Sequence, residues 1–416
     1  MIYLTYKKKQ GEISMSISLR KITALLLALC MIFAIAGCNN NPADNGQPPD
    51  QNQNNTTDNT EKDESGLGTF TPTGPIKNVI FIIGDGMGKN HIEAGALDRG
   101  SDYDFQSWKQ VNVNTDSIDK DTGALVLTDS AASATALATG NLTQNEYVGL
   151  DVDGDPLKTI MDYAKAAGKA TGIVTTDYLY GATPAGFSAH AIDRDDKKAI
   201  TESQLRSGID FLAGLTSSIY GQTLYKNIIS ASPYYFTNAL SDSEIAQKDK
   251  VMLALNIEDD TANSISLSDA TRAALSYLER DTDGFVLMIE QAYIDKHSHN
   301  NQFGDMVNRM HSLGETVDTV MEWVGDRNDT VVLISADHET GGLSVSKTEQ
   351  LQFSYNGQNG TFYFAWRSKN HTQAFVDLYV YGIDEDFGTY KNFLDENLIK
   401  NTDIFLLMKR LVTTGE

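Results

Sequence analysis

Cysteine is almost absent from this chain of 416 residues: there are two, Cys30 and Cys38, both within the first 38 positions. From Asn39 onward no disulfide can form, so stability there rests on a packed core and on any metal held by oxygen and nitrogen donors. Positive charge is also scarce. Thirty-three Lys and Arg stand against 56 Asp and Glu, a formal net charge of −23. Residues 1–37 alone carry +4, so the remainder stands at −27. Such a surface repels nucleic acid and anionic membranes, and a small anionic ligand would need a strong local positive field. Long apolar runs are missing too: Ile22 to Ala36 is short for a membrane span. No internal repeat is apparent.

What is there begins with an export signal. Arg20 and Lys21 precede the Ile22–Ala36 run, and Ile35-Ala36-Gly37-Cys38 resembles a bacterial lipobox. On that reading residues 1–37 are a signal peptide, with Met15 an alternative start, and Cys38 becomes a lipidated N-terminus. The competing reading is an uncleaved anchor helix. Either places the body outside the cytoplasmic membrane, on the periplasmic or cell-surface side. Residues 38–74 are dominated by Asn, Asp, Gln, Pro and Thr and read as a disordered tether. Roughly 35 flexible residues average about 30–35 Å end to end.

From residue 75 to 416 the composition is globular. Val79-Ile80-Phe81-Ile82-Ile83 is a continuous apolar run, the pattern of a strand buried on both faces of a parallel sheet. Similar runs recur at Gly172–Val174, Phe285–Ile289, Val331–Ile334 and Phe375–Val380. Helical periods separate them. Asp155-Pro156 reads as a helix start, with Leu157, Ile160, Met161 and Ala164 on one face before Gly168. A second helix is expected from about Ser268, and a third carries Met306, Met310, Leu313, Val317, Val320 and Val324. This alternation predicts an α/β fold with a mostly parallel sheet. Residues 205–265 lack a clear period and are expected to form an insertion.

Four of the strand runs end in reactive side chains. Asp85 follows the first, Thr175-Thr176-Asp177 and then Gly181-Ala182-Thr183 the second, Glu290 with Asp295 and His299 the third, Asp337 and His338 the fourth. The carboxyl ends of parallel strands form a shared crevice, so these groups are expected to converge. Mixed Asp/His sets suit Zn²⁺ and oxygen-only sets suit Mg²⁺. The run Thr128 to Gly140 is made almost wholly of small residues and reads as a helix. Taken alone it is an Ala-rich helix with an Asp or Ser cap. Set beside the strand ends, it puts Ser130 at a helix N-terminus, where an anion is stabilised and a serine can attack a bound phosphate.

Six motifs then stand in one order: Gly84-Asp85-Gly86-Met87-Gly88, Thr128-Asp129-Ser130-Ala131-Ala132-Ser133, Ala182-Thr183-Pro184-Ala185, Ile294-Asp295-Lys296 with His299, Ala336-Asp337-His338, and Asn370-His371-Thr372. In these the chain resembles the bacterial alkaline phosphatases, from about Asn78 to about Thr372. The resemblance implies a mostly parallel central sheet flanked by helices on both faces, with a reduced crown insertion. It implies a phosphomonoester hydrolase that works through a phosphoserine and releases inorganic phosphate and an alcohol. It implies two zinc ions and one magnesium. Ser130 would be the nucleophile, and Asp295, His299 and His371 the ligands of one zinc. Asp85, Asp337 and His338 would hold the second. Asp85, Thr183 and Glu290 would hold magnesium. Arg194, eleven residues after Thr183, would clamp the phosphate, with Ser130 and Lys296 as further substrate contacts. His91, His190, His297 and His311 are left as structural or surface residues. Partners would be small phosphomonoesters, the membrane through the lipid anchor, and a second copy in a possible homodimer.

Some residues depart from that pattern. Gly181 stands where several relatives carry Asp or His near the magnesium, and Lys296 is a residue that some relatives pair with that Asp. The stretch between Arg194 and Glu290 is short. Within the same superfamily, phosphodiesterases, nucleotide pyrophosphatases and sulfatases use a Thr or a modified Cys/Ser in a Cys-x-Pro-x-Arg setting, and neither occurs here. A non-catalytic, lipid-anchored phosphate or metal binder is the reading from another class.

Overall fold

The structure, a computed structural model, describes residues 2–7, 12–17, 76–216, 229–240, 242–255, 265–383 and 396–413. The chain divides into two units, Met1–Lys62 and Asp63–Glu416. In the first, Ile2–Lys7 pairs antiparallel with Glu12–Ile17, Ile2 opposite Ile17 and Lys7 opposite Glu12. The apolar run to Ala36, the lipobox with Cys38 and the tether lie outside the described residues. No described helix is long and apolar enough to cross a membrane.

The second unit is built on four neighbouring parallel strands: β1 (Asn78–Gly84), β2 (Ala170–Tyr178), β3 (Phe285–Gln291) and β4 (Thr330–Ser335). They lie in the order β4-β1-β3-β2. Every residue of β1, β3 and β4 is buried, which is why their sequences are apolar without alternation. Beyond β2 the sheet continues through Phe211–Leu215, Val251–Leu255 and Tyr235–Thr237, all parallel. Beyond β4 come Val376–Tyr381, Lys109–Asn114 and Leu398–Lys400, and of these ten described strands Val376–Tyr381 alone runs against the rest. The sheet is therefore mostly parallel, as the strand–helix alternation predicts.

Two expectations need correction. The stretch from about 205 to 265 is not wholly an insertion, because Phe211–Leu215, Tyr235–Thr237 and Val251–Leu255 extend the main sheet. The helix expected to start at Asp155-Pro156 spans Ile160–Ala166 instead. Thr159 caps it, and the Asp162 carboxylate three residues on accepts in return from the Thr159 backbone N–H at 3.0 Å. That capping box satisfies two otherwise unpaired donors at once and fixes the start there, while Pro156 pairs with Leu150 in an isolated bridge.

Helices α1 (Ser130–Thr139) and α2 (Tyr293–His299) carry predicted site residues, and α3 (Phe303–Val324) packs against α2. Asp129 caps α1 by accepting from the Ala132 N–H at 2.9 Å. Gly140 ends it at φ 73°, a left-handed conformation that glycine adopts without Cβ strain. All ten residues of α1 are buried. A Cβ added to Gly186 would lie 2.8 Å from the Ala134 Cβ, so the small residues of α1 let a second backbone close on it. Along α3 the six apolar residues of the predicted stripe are all buried. Relative to exposure, their burial contributes on the order of 10 kcal/mol before conformational entropy is counted.

Candidate active site

The parallel strands end on one side, and the predicted residues stand at those ends. Glu290 of β3 is paired in register with Thr175 of β2, and the Thr175 hydroxyl donates to the Glu290 carboxylate. Side chains alternate along a strand, so their neighbours Thr176 and Gln291 turn the other way. These two bond to each other at 2.9 Å and line a separate cavity of about 760 Å³ with His297 and Ser312. That cavity, though large, contains none of the predicted ligands.

Two groups of donors could each hold a cation. Asp295, His299 and His371 bring ligand atoms within 4.8 Å of one another, and so do Asp85, Asp295 and His338. On α2 the spacing of four puts His299 Nε2 3.3 Å from Asp295 Oδ1. His371 enters from the pair formed by His371–Thr372 and Glu339–Thr340 and brings its Nε2 to 3.7 Å from the same oxygen. Its Nδ1 sits 2.9 Å from the Thr128 carbonyl, and His299 Nδ1 faces the Lys369 carbonyl. A carbonyl only accepts, so each Nδ1 donates and each Nε2 keeps its lone pair for a metal. The His338 ring stacks on His371 with centroids 3.5 Å apart.

The sequence reading groups Asp337 with Asp85 and His338, and it lies beside them. Its Oδ2 is 3.2 Å from His338 Nε2, while Oδ1 accepts from the backbone N–H groups of Gly86 and His338, each at 3.0 Å. Gly86 reaches that bond at φ +71°, where a Cβ would also strike Asp295 at 2.9 Å. Asp295 faces both groups, although the resemblance gives it to one. Thr340, which no sequence pattern marks, donates to Asp295 and lies 3.3 Å from His338 Nδ1.

The unsatisfied atoms fit cations. Asp85 Oδ1, Asp337 Oδ2 and Thr183 Oγ1 are buried without a hydrogen-bond partner, a condition that costs about 1–3 kcal/mol per group unless something else satisfies them. Burial raises Asp85 well above the ordinary carboxylate range, and repulsion from Asp337, Asp295 and Glu290 adds to it. Burial also pushes Asp337 up to about 7. Glu290 rises to about 8, through burial and then Asp177, against the hydrogen bond from Thr175. Burial drives His338 well below its usual value, with His371 and Arg194 adding to the effect. Crowded buried carboxylates beside neutral imidazoles are what a divalent cation stabilises.

Ser130 opens α1 with its Oγ 3.1 Å from His338 Nε2. Arg194 donates from Nη1 to Asp129 Oδ2 at 3.0 Å, while Asp129 Oδ1 caps Ala132. One carboxylate thus fixes both the turn that presents Ser130 and the guanidinium beside it. Burial alone would lower the Arg194 pKa, but Asp129 outweighs it and holds it above the usual value. The sequence marked Asp129 as a cap and not as the holder of Arg194. Lys296 is tied to Asp177, with its ammonium 4.6 Å from the Tyr293 ring centre. Of the unassigned histidines, His91 accepts from the Gly88 N–H, His190 meets the Leu157 carbonyl, His297 meets Gln302 and His311 meets Asp98.

The family model described as alkaline phosphatase matches residues 76–217 and 248–406. The chain belongs to the alkaline phosphatase family. The unmatched residues 218–247 fall within the stretch expected to be an insertion. Alkaline phosphatase 3 of Bacillus subtilis strain 168 is 31% identical over 290 residues, covering 65% of this chain and 62% of its own length. The chain therefore spans under two thirds of that relative. The cold-active alkaline phosphatase of a psychrophilic Shewanella superposes with a TM-score of 0.69 at 25% identity, over 81% of this chain and 100% of that one. A variant of the alkaline phosphatase from the Antarctic bacterium TAB5, with magnesium bound in its M3 site, superposes at 0.70 and 24% identity, over 82% and 98%. These alkaline phosphatases share the fold.

Proposed function

We propose that the chain is a metal-dependent phosphomonoesterase that works through a phosphoserine, and the observation that carries this is Ser130 Oγ lying 3.1 Å from His338, a member of one of the two donor groups. Asp295, His299 and His371 would hold one zinc, and Asp85, Asp337 and His338 the other. Asp85, Thr183 and Glu290 would hold magnesium, the ion that the TAB5 variant carries in its M3 site. When bound, two zinc ions act as Lewis acids on the attacking and leaving oxygens of an in-line displacement.

The chain's own residues do the rest. Arg194 offers a planar guanidinium to two phosphate oxygens, fixed in place by Asp129. The N-terminus of α1 points its free N–H groups at the same anion. Ser130 gives up its proton to solvent, its oxygen bonds to phosphorus, and the bond from phosphorus to the ester oxygen breaks, that oxygen leaving with the bonding pair and taking a proton from solvent to become the alcohol. Water then attacks phosphorus from the vacated side, and the Ser130 oxygen departs, so inorganic phosphate is released and the serine is restored.

The test compares Ser130→Ala with the parent on p-nitrophenyl phosphate and on its bis ester, with and without chelator. The monoester should be preferred and chelation should abolish turnover. Ser130→Ala should keep its zinc and bind phosphate while losing at least about a thousandfold in kcat, roughly 4 kcal/mol of barrier. Full activity in that variant would show the nucleophile to be another group. Preference for the bis ester would favour the phosphodiesterase reading, and phosphate binding without turnover in the parent a non-catalytic binder.

A further inference from the structure

Beside the two Asp/His groups lies a cluster of oxygens: Glu290, Thr175, Thr183 and Asp177. Glu290 and Thr183 are each 1% exposed. The Thr175 hydroxyl donates to Glu290, and its oxygen accepts the Asp177 backbone N–H at 2.8 Å. The Thr183 hydroxyl is buried and has no hydrogen-bond partner.

Asp177 stands at the open side of this cluster with its side chain 17% exposed. Its Oδ1 is held by Lys296. Its Oδ2 lies over Gly181, where an added Cβ would come within 2.5 Å of that oxygen and 2.9 Å of the carboxyl carbon. Gly181 caps the short helix Ala182–Gly186 that presents Thr183. The carboxylate therefore occupies the space into which any side chain at 181 would grow. After burial, Asp177 is the main influence raising the pKa of Glu290, so its charge is felt inside the cluster.

Resting on the phosphomonoesterase reading, we propose that Asp177 is a positioning residue of the hard-cation site: it stands in for a side chain at Gly181 and accepts hydrogen bonds from the waters of a magnesium ion held by Asp85, Glu290 and Thr183. Magnesium takes only one or two carboxylates directly and keeps several waters. Those waters need acceptors, and the Asp177 carboxylate is poised on the solvent side to supply one. Lys296 fixes its rotamer and offsets its charge in an already acidic cluster. Partners one layer out from a metal typically set its affinity by about 10–100-fold.

The test titrates magnesium chloride into the zinc-loaded full chain by calorimetry, with zinc content measured on the same samples. Asp177→Asn keeps the shape and removes the charge; magnesium affinity should fall by about 10–100-fold with zinc content unchanged. The double variant Asp177→Ala/Gly181→Asp returns a carboxylate from the adjacent backbone position and should recover most of that loss, whereas Asp177→Ala alone should not. Lys296→Met leaves the Asp177 charge in place and should bind magnesium at least as tightly as the parent. Unchanged magnesium affinity in Asp177→Asn overturns the proposal. So does an equal loss in Asp177→Asn and Lys296→Met, because it would make the pair a structural tie. The readout is magnesium binding, so this proposal can fail while ester turnover stands, and it can hold in a protein that shows no turnover.

Discussion

Chelating the cations should make the fold sensitive to alkaline pH. With no cation to offset them, burial and neighbouring carboxylates hold Asp337 near 7 and Glu290 near 8, against ordinary values of 3.8 and 4.5. An acid whose folded pKa is raised stabilises the fold while it is protonated, and that contribution is lost as pH climbs through the folded value. His338 and His371 are shifted the other way, and their neutral folded forms destabilise only as pH falls below about 6.5. Between pH 6.5 and 9 the carboxylates therefore act alone. At about 1.4 kcal/mol per pKa unit, the part of their shifts lying in that window amounts to roughly 2–3 kcal/mol. For a domain of this size that is a fall in Tm on the order of 5 °C. The assay is calorimetric melting of chelated and metal-loaded protein at pH 6.5, 7.5 and 9 at one scan rate. The loaded protein should melt almost independently of pH, because its carboxylates are already ionised. Chelated Glu290→Gln should lose most of the slope. A chelated parent whose Tm is flat or rises with pH would refute the reasoning.

Other substitutions test the rest of the site. Asp295→Asn should lower the zinc content of both donor groups, because its carboxylate faces both; elemental analysis showing loss at one site only would return Asp295 to a single metal. Arg194→Lys keeps the charge but not the fork, and should cost about 10–100-fold in kcat/KM on a monoester, the worth of one or two charged hydrogen bonds; kinetics within twofold of the parent would remove Arg194 from the phosphate. Cys38→Ser should move the protein from the membrane to the soluble fraction on cell fractionation, and continued membrane retention would contradict the lipid anchor.

The central strands were legible because burial on both faces leaves no room for alternation, as Val79 to Ile83 shows. The outer ones were not. Phe211–Leu215 and Val251–Leu255 are equally apolar and equally buried, but five residues of that kind fit a buried helix as well as a strand. Pro156 misled for a local reason, since a proline opens turns and bridges as readily as helices, and the Thr159–Asp162 box decided the matter. In the site, the spacing of Asp295 and His299 was readable because a helix turns it directly into geometry. Thr340 against Asp295, Asp129 against Arg194 and Asp177 over Gly181 were not, because each contact joins segments whose approach depends on the packed sheet.

Val376–Tyr381, the one described strand of the main sheet that runs against the rest, begins five residues after His371. The chain thus delivers its last donor and turns back at once to seal the sheet between β4 and Lys109–Asn114. Synthesis runs from the other end, so Asp85 emerges from the ribosome nearly three hundred residues before the imidazole that must join it. A nascent or truncated chain that stops short of His371 has most of its sheet and an incomplete set of donors. The full set of donors can close on metal only after His371 has been made and the sheet has folded around it.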